Sequence, residues 1–406
     1  MSDQKHVVFV NEFFHPDICA SAVVAEDHLT KLGRLRPEWR ITVIAGNRAW
    51  DDPSIAYPHE SEHDGLRVLR AARPAVSRTS LLRRALGFAA FGRNAVRAAR
   101  SLGRIDLVMG TTAPPQGGTI ARKIARQHGC PYIYKILDLY PELAAALGRT
   151  REGSFVHRRW LASDTRTMRE AAAVVCVSEA MAERVTASRA VARDTVLAIH
   201  DGFDDARLAV NGQNHFQREH NPDGRFVVQY AGNMGLSHPL TTVLDAARLL
   251  RDQGEILFQF VGDGPERRRV EADAPPQVRW VGYQPADRLG QVLATADIAL
   301  ISQHDEMFDK ALPYKVYATL AAGKPIIFLG SRRSEITTWL EEARCGMRID
   351  HVRADELLKA ILRLRDDEAG RREMGKKGRG LYEAKFRSQD AVGKWAALLE
   401  SVMAKR

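Results

Sequence analysis

The sequence predicts an α/β protein made of two doubly wound parallel-sheet halves facing a cleft. Short apolar runs of strand length alternate with helical patterns, and small-residue loops follow several of those runs directly. The whole alternation restarts after a polar, turn-rich stretch at residues 205–224. With 406 residues the chain is long enough for two domains of ordinary size.

In the first half His6–Val10 reads as a buried strand, followed by the loop Asn11–Ser21 and the helical pattern Ala22–Leu35. Ile41–Ala45, Leu66–Arg70, Ile105–Gly110, Pro131–Leu137, Ala173–Val177 and Thr195–Ile199 are further strand runs, most of them separated by helical patterns. That order implies a parallel sheet covered on both faces. Asp205–Gly224 reads as a linker. In the second half Phe226–Ala231, Leu257–Val261, Val278–Val281, Ile298–Ser302 and Pro325–Leu329 are the strand runs. Leu240–Gln253, Ala286–Thr295 and Tyr314–Ala322 are its helical patterns. The amphipathic stretch Ser388–Ala404 carries Trp395 and is expected to cross back and brace the first half. The expected domains are therefore residues 1–204, a linker at 205–224, residues 225–385, and a returning helix at 386–406. In such sheets a ligand lies beyond the carboxyl ends of the strands.

Apolar residues make up 45% and charged residues 27%, which excludes disordered, collagen-like and disulfide-scaffold classes. Cys19, Cys130, Cys176 and Cys345 lie far apart without a CxxC pair, so no structural zinc site is expected and a reducing compartment fits. The N-terminus lacks a signal-peptide core, and runs such as Leu107–Ala121 are too broken to span a bilayer. A cytoplasmic enzyme is the expectation. The formal charge of +10 has one source. From Gly65 to Ile105 there are ten arginines and no Asp, Glu or Lys, and the rest of the chain balances. Within Leu81–Leu102 arginines mix with apolar residues at helical spacing. This suits an anionic membrane surface, with Arg78, Arg83, Arg84 and Arg93 as the contacting face, or else a solvated helix on a domain edge. The stretch carries no series of stacking aromatics, so nucleic acid is not an expected partner.

Four stretches carry candidate chemistry. The loop Asn11–Ser21 (NEFFHPDICAS) offers small residues, Ala20 and Ser21, at a helix start. It has no GxGxxG, which argues against a nicotinamide or flavin site. Gly232-Asn233-Met234-Gly235 and Gly262-Asp263-Gly264 end two strands of the second half and suit close approach by a diphosphate. Asp138, just past a strand end, is placed to act as a base or to orient an acceptor hydroxyl. Glu142 after Pro141 shares that reading or is a first-turn acid of a helix. Pro313 opens a helix that carries Tyr314, Lys315 and Tyr317. A cation beside free N–H groups there makes a receptor for a leaving diphosphate.

Together these stretches resemble the family 4 retaining glycosyltransferases with two Rossmann-like domains, the GT-B fold. Within that family they are similar to the bacterial O-antigen and colanic-acid enzymes of the N-acetyl-fucosamine transferase type. NEFFHPDICAS resembles the family's "YFPPE-G-A" loop, Thr112–Pro115 its "SPP" strand end, and Asp138–Glu142 (DLYPE) its "DLWPE". Val177–Glu179, Asp201–Asp204, Tyr230–Leu236 (YAGNMGL), Val261–Pro265 (VGDGP) and Pro313–Tyr317 (PYKVY, family "PSKxY") continue the series in order.

The resemblance implies retaining, metal-independent transfer of a sugar from a nucleoside-diphosphate sugar, UDP-type favoured, with no cofactor. The implied acceptor is lipid-linked or a glycan, in cell-surface polysaccharide assembly at the inner membrane face. Asp138, Lys315 and Glu142 would be catalytic. Ala20, Ser21, Gly232, Asn233, Met234, Gly235, Gly262, Asp263, Gly264, Pro313, Tyr314 and Tyr317 would bind the donor. Two departures stand out. Lys310 and Ala318 occupy the positions of the family's paired glutamates, leaving Glu306 or Asp309 as substitutes toward the ribose. The Arg and Lys that follow the second-half glycine loop in many members are also missing. A nucleotide-sugar epimerase and a non-catalytic partner subunit are the alternative readings.

Overall fold

The structure, a computed structural model, describes residues 4–75, 81–210, 212–272 and 274–405. It divides into two compact units, each wound around its own sheet. One comprises Met1–Asp201, Lys310–Leu312 and Ser388–Arg406; the other comprises Gly202–Asp309 and Pro313–Arg387.

The first unit holds β1 (His6–Val10), β2 (Arg40–Gly46), β3 (Glu60–His63), β4 (Leu66–Ala71), β5 (Leu107–Thr111), β6 (Tyr132–Ile136), β7 (Ala173–Cys176) and β8 (Val196–Ala198), in spatial order β3-β4-β2-β1-β5-β6-β7-β8. All pairings are parallel except β3 with β4. Alternate residues of β1 serve opposite cores. Val8 and Val10 pack with Phe91, Ile120 and Met181 on one face. Val7 and Phe9 pack with Leu29, Trp39, Trp395 and Leu399 on the other. A strand buried on both faces reads as a near-continuous apolar run, and Val7–Val10 of β1 does. Trp395 belongs to the helix Ser388–Ala404, which lies beside the helix Ala20–Leu35 on that second face.

The second unit holds β9 (Phe226–Ala231), β10 (Ile256–Val261), β11 (Val278–Val281), β12 (Ile298–Ser302), β13 (Ile326–Leu329) and β14 (Gly346–Ile349), all parallel, in the order β11-β10-β9-β12-β13-β14. The order reverses between β9 and β12, the place where open sheets of this kind form a crevice at their carboxyl ends. Residues 205–224, read from sequence as a linker, instead hold a turn at Asp205–Leu208 and a helix at His215–His220. Phe216 of that helix is fully buried against Val261, Val281 and Val292. One large apolar residue in a polar run is enough to dock it.

Two strands went unread. β3 is charged and paired on one edge only. Its signal was the Asp64-Gly65 turn, where both residues take positive φ (49° and 78°) as a tight hairpin requires. β14 is four residues long and only partly buried.

The arginine-rich run forms the helix Leu81–Ala99 followed by a tight turn at Arg100–Leu102. Arg83, Arg84 and Arg93 are exposed, and Arg78 lies outside the described residues. Among the apolar residues of this stretch, Phe91 is fully buried in the core, whereas Leu86 is 59% exposed. Among the described residues no helix is long and apolar enough to cross a membrane.

Candidate functional site

In the second unit the site assembles at the β9–β12 reversal. Gly232 follows β9 at φ 120°, and Gly262 and Gly264 follow β10 at 129° and 155°. A Cβ on Gly262 would run into the Gly232 carbonyl, and one on Gly264 into the Met234 carbonyl. The two turns therefore stack backbone to backbone, which only glycine permits. The Met234 N–H donates to the Asp263 carbonyl at 2.9 Å, and the Asp263 carboxylate accepts from the Gly264 N–H at 2.7 Å. Met234, expected to bind donor, thus gives its side chain to the core and its N–H to the neighbouring turn. Asn233 stays exposed.

Lys315 opens the helix Lys315–Ala321 and reaches this stack. Its ammonium lies 3.7 Å from the centre of the Tyr230 ring and 3.5 Å from the Asn233 carbonyl. Among the described residues it forms no ion pair, and burial pushes its pKa down to about 7. A cation poised without a carboxylate partner is suited to receive an arriving anion.

Sequence reasoning missed His238. Its Nδ1 is 2.6 Å from the Ser302 carbonyl at the end of β12, while the His304 N–H donates to the Ser237 carbonyl at 3.0 Å. The loop after β9 is thereby tied across the reversal point. Burial, then the nearby Lys315 charge, push the His238 pKa down to about 3. The ring is neutral, so Nδ1 donates and Nε2 remains an acceptor. Only its nearness to the glycine turn could have flagged it.

Other expected donor residues lie elsewhere. Tyr317 is buried beside Trp339 and Phe386, ring centres 6.2 and 5.2 Å away, and acts as core. Tyr314 is half-buried between Phe203 and Tyr317, and Pro313 is buried. Ala318 is buried on the same helix. Of the suggested carboxylate substitutes, Glu306 is exposed and Asp309 is buried.

In the first unit the sheet reverses between β1 and β5, and the loops there are bound together. The Thr111 hydroxyl donates to the Asn11 side chain, and the Glu12 N–H donates to the Ala113 carbonyl at 2.6 Å. Ala20 and Ser21 begin the first helix, exposed and half-exposed. Asp138 follows β6. Its N–H donates to the Thr112 hydroxyl at 3.1 Å, and the Leu139 N–H donates to the Lys310 carbonyl at 2.8 Å. Among the described residues none hydrogen-bonds its carboxylate, and burial alone raises its pKa to about 6. An unsolvated carboxylate with that pKa can take a proton near neutrality.

Glu142, the other expected catalytic acid, is committed elsewhere. It accepts from the fully buried Arg189 at 2.7 Å. The same guanidinium reaches the Tyr140 carbonyl at 2.9 Å and Asp164 at 3.4 Å, and Asp164 accepts from Tyr134 at 3.0 Å. Nothing in the sequence linked residues 142, 164 and 189.

Two parallel-sheet units with glycine turns at a reversal point, one presenting a lone lysine, define a GT-B architecture. The chain carries two glycosyltransferase domains in series. Residues 25–202 match the family model described as glycosyl transferase 4-like domain, and residues 225–367 match glycosyl transferases group 1. The probable glycosyltransferase WbjE of Pseudomonas aeruginosa is 29% identical over 127 residues, 30% of this chain and 32% of that protein. The putative colanic acid biosynthesis glycosyl transferase WcaI of Escherichia coli (strain K12) is 29% identical over 119 residues, 28% of this chain and 29% of that protein. The matched stretch is thus a third or less of each relative's length.

Among solved structures the chain is similar to sucrose-phosphate synthase from Thermosynechococcus elongatus, with TM-score 0.79 and 14% identity over 99% of this chain and 100% of that one. Anabaena HepE in complex with UDP and glucose gives 0.72 and 14% over 97% and 99%. WaaG, a glycosyltransferase involved in lipopolysaccharide biosynthesis, gives 0.71 and 12% over 97% and 99%. These likenesses show the fold.

Proposed function

We propose that this protein transfers a sugar, with retention and without a metal ion, from a nucleoside-diphosphate sugar of UDP type to a lipid-linked or glycan acceptor in cell-surface polysaccharide assembly. The observation that carries the reading is the Lys315 ammonium held against the two stacked glycine turns, with no ion pair to an acid among the described residues. A departing nucleoside diphosphate brings negative charge that must be met as it develops. Lys315 and preorganised N–H groups supply that without reorganisation. The missing Arg and Lys of the glycine loop make Lys315 the main cation of the donor site. Asp138, raised to about 6, serves as base or orienter for the acceptor hydroxyl. Glu142 supports that strand end through Arg189 rather than touching substrate.

HepE is a fold neighbour described with UDP and with UDP-glucose, and WcaI is a relative ascribed to colanic acid biosynthesis. Both support a nucleotide-sugar donor and a polysaccharide acceptor for this chain. The exposed arginines of the helix Leu81–Ala99 support peripheral contact with an anionic inner membrane face. The test is turnover on a panel of UDP-, GDP- and dTDP-sugars with chelator present, followed by the anomeric configuration of the product. Saturable, chelator-insensitive turnover of one UDP-sugar with retention is expected. Isomerised donor in the absence of acceptor would favour the epimerase reading, and donor binding without turnover the partner-subunit reading.

A further inference from the structure

His15, Glu26 and His63 come from three separate segments of the first unit: the loop after β1, the first helix and the edge strand β3. Their candidate ligand atoms all lie within 4.8 Å of one another. His15 Nδ1 is 2.9 Å and His63 Nε2 is 2.8 Å from the same oxygen, Glu26 Oε1. The two rings stack at 3.7 Å between centres, 15° apart. We propose that these three side chains form a binding site for a zinc-class divalent cation.

Two imidazole nitrogens and a carboxylate oxygen already converge on one small volume. Zinc–nitrogen and zinc–oxygen bonds of ~2.0–2.2 Å require the two stacked rings to rotate apart, so that the in-plane lone pair of each nitrogen aims at the same point. The donor set decides the metal. Imidazoles with one carboxylate suit zinc and its first-row neighbours, whereas magnesium and calcium take oxygen ligands. With neutral imidazoles the glutamate gives the site a net negative charge. Side-chain exposures of 43% for His15, 32% for Glu26 and 23% for His63 leave an entry path and room for a water in the remaining position. The ion would clip the loop between β1 and the first helix to that helix and to the β3–β4 hairpin. Its role is to fix that loop, and it takes no part in the donor chemistry proposed above.

The test titrates metal-stripped full-length protein with zinc by calorimetry and reads thermal stability alongside. One ion per chain is expected, with a rise in Tm that magnesium does not reproduce. His15→Ala and His63→Ala should each weaken binding by at least the roughly tenfold that even outer-shell changes cost. Glu26→Gln, which keeps size and hydrogen bonding, should do the same and decides the matter if a histidine variant fails to fold. Cobalt should bind in place of zinc with a visible absorption band that the variants lose. Zinc isotherms unchanged in the variants, or no binding by the wild type, overturn the site.

Discussion

The Lys315 ammonium rests on the face of Tyr230, 3.7 Å from the ring centre, at the carboxyl end of the strand from which the glycine turn departs. The ring offers the charge a partner that cannot neutralise it. A contact of this kind is worth about 0.5–1 kcal/mol at an exposed site and about 2 kcal/mol when desolvated. It opposes the burial that lowers the pKa to about 7.

Function should follow that balance. The protonated form binds diphosphate, so as pH rises through 7 the ammonium is lost and donor affinity falls. Calorimetry between pH 6 and 9 should show a weakening limb above 7, and Tyr230→Leu should move the limb to lower pH. Lys315→Ala should remove the limb and cut turnover on the order of 10²-fold. Near wild-type turnover in the folded variant would remove Lys315 from the mechanism.

Asp138→Asn should damage transfer far more than donor binding. The active form is the carboxylate, and its pKa is raised to about 6, so kcat/KM should fall as pH drops through 6 in the wild type. The stability sign is opposite. A raised carboxyl pKa means that ionisation above pH 6 opposes folding, so at pH 8 the Asn variant should melt no lower than wild type. Equal loss of donor affinity and transfer rate would refute the assignment.

Arg189→Met leaves the carboxylates of Glu142 and Asp164 without their buried cation and should destabilise the protein by about 3–5 kcal/mol. Glu142→Gln should also lower Tm while sparing kcat per folded molecule. Denaturation curves beside turnover distinguish this from a catalytic Glu142, for which kcat would collapse at unchanged Tm.

Membrane contact should depend on charge more than on insertion, because Phe91 is core and, among the described residues, Leu86 alone offers a large exposed apolar side chain on that helix. Each arginine near an anionic surface contributes about 1 kcal/mol. Arg83, Arg84 and Arg93 changed together to Gln should release the protein from phosphatidylglycerol vesicles, and salt should do the same to wild type. Co-sedimentation reads both. Pelleting that is equal for variant and wild type, or absent for both, would mark the helix as merely solvated.

The sequence by itself determined the sheet framework, because a strand buried on both faces is written as a mostly apolar run; His6–Val10 and Ile298–Ser302 are apolar but for one terminal residue, and Phe226–Ala231 is but for Gln229, whose amide is met by Gln259 of the next strand. It also determined the glycine turns and the helix that begins at Lys315, since positive φ and helix starts restrict which residues can stand there. Local pattern could not reveal what depends on distant partners. Asp64-Gly65 announced a hairpin whose charged strand had no apolar period to confirm it. Phe216 docked a stretch that composition made a linker. Tyr317 and Phe91 had the spacing of surface or site residues and became core, because burial depends on what packs opposite. Glu142 changed role for the same reason. Its partner Arg189 is 47 residues away, and a carboxylate facing a buried guanidinium is held as an ion pair whatever its own neighbours in sequence suggest. Asp138 and Lys315 kept the strand-end and helix-start positions that sequence assigned, but only the tertiary fold buried each of them, with no ion pair among the described residues, and so moved both toward neutrality.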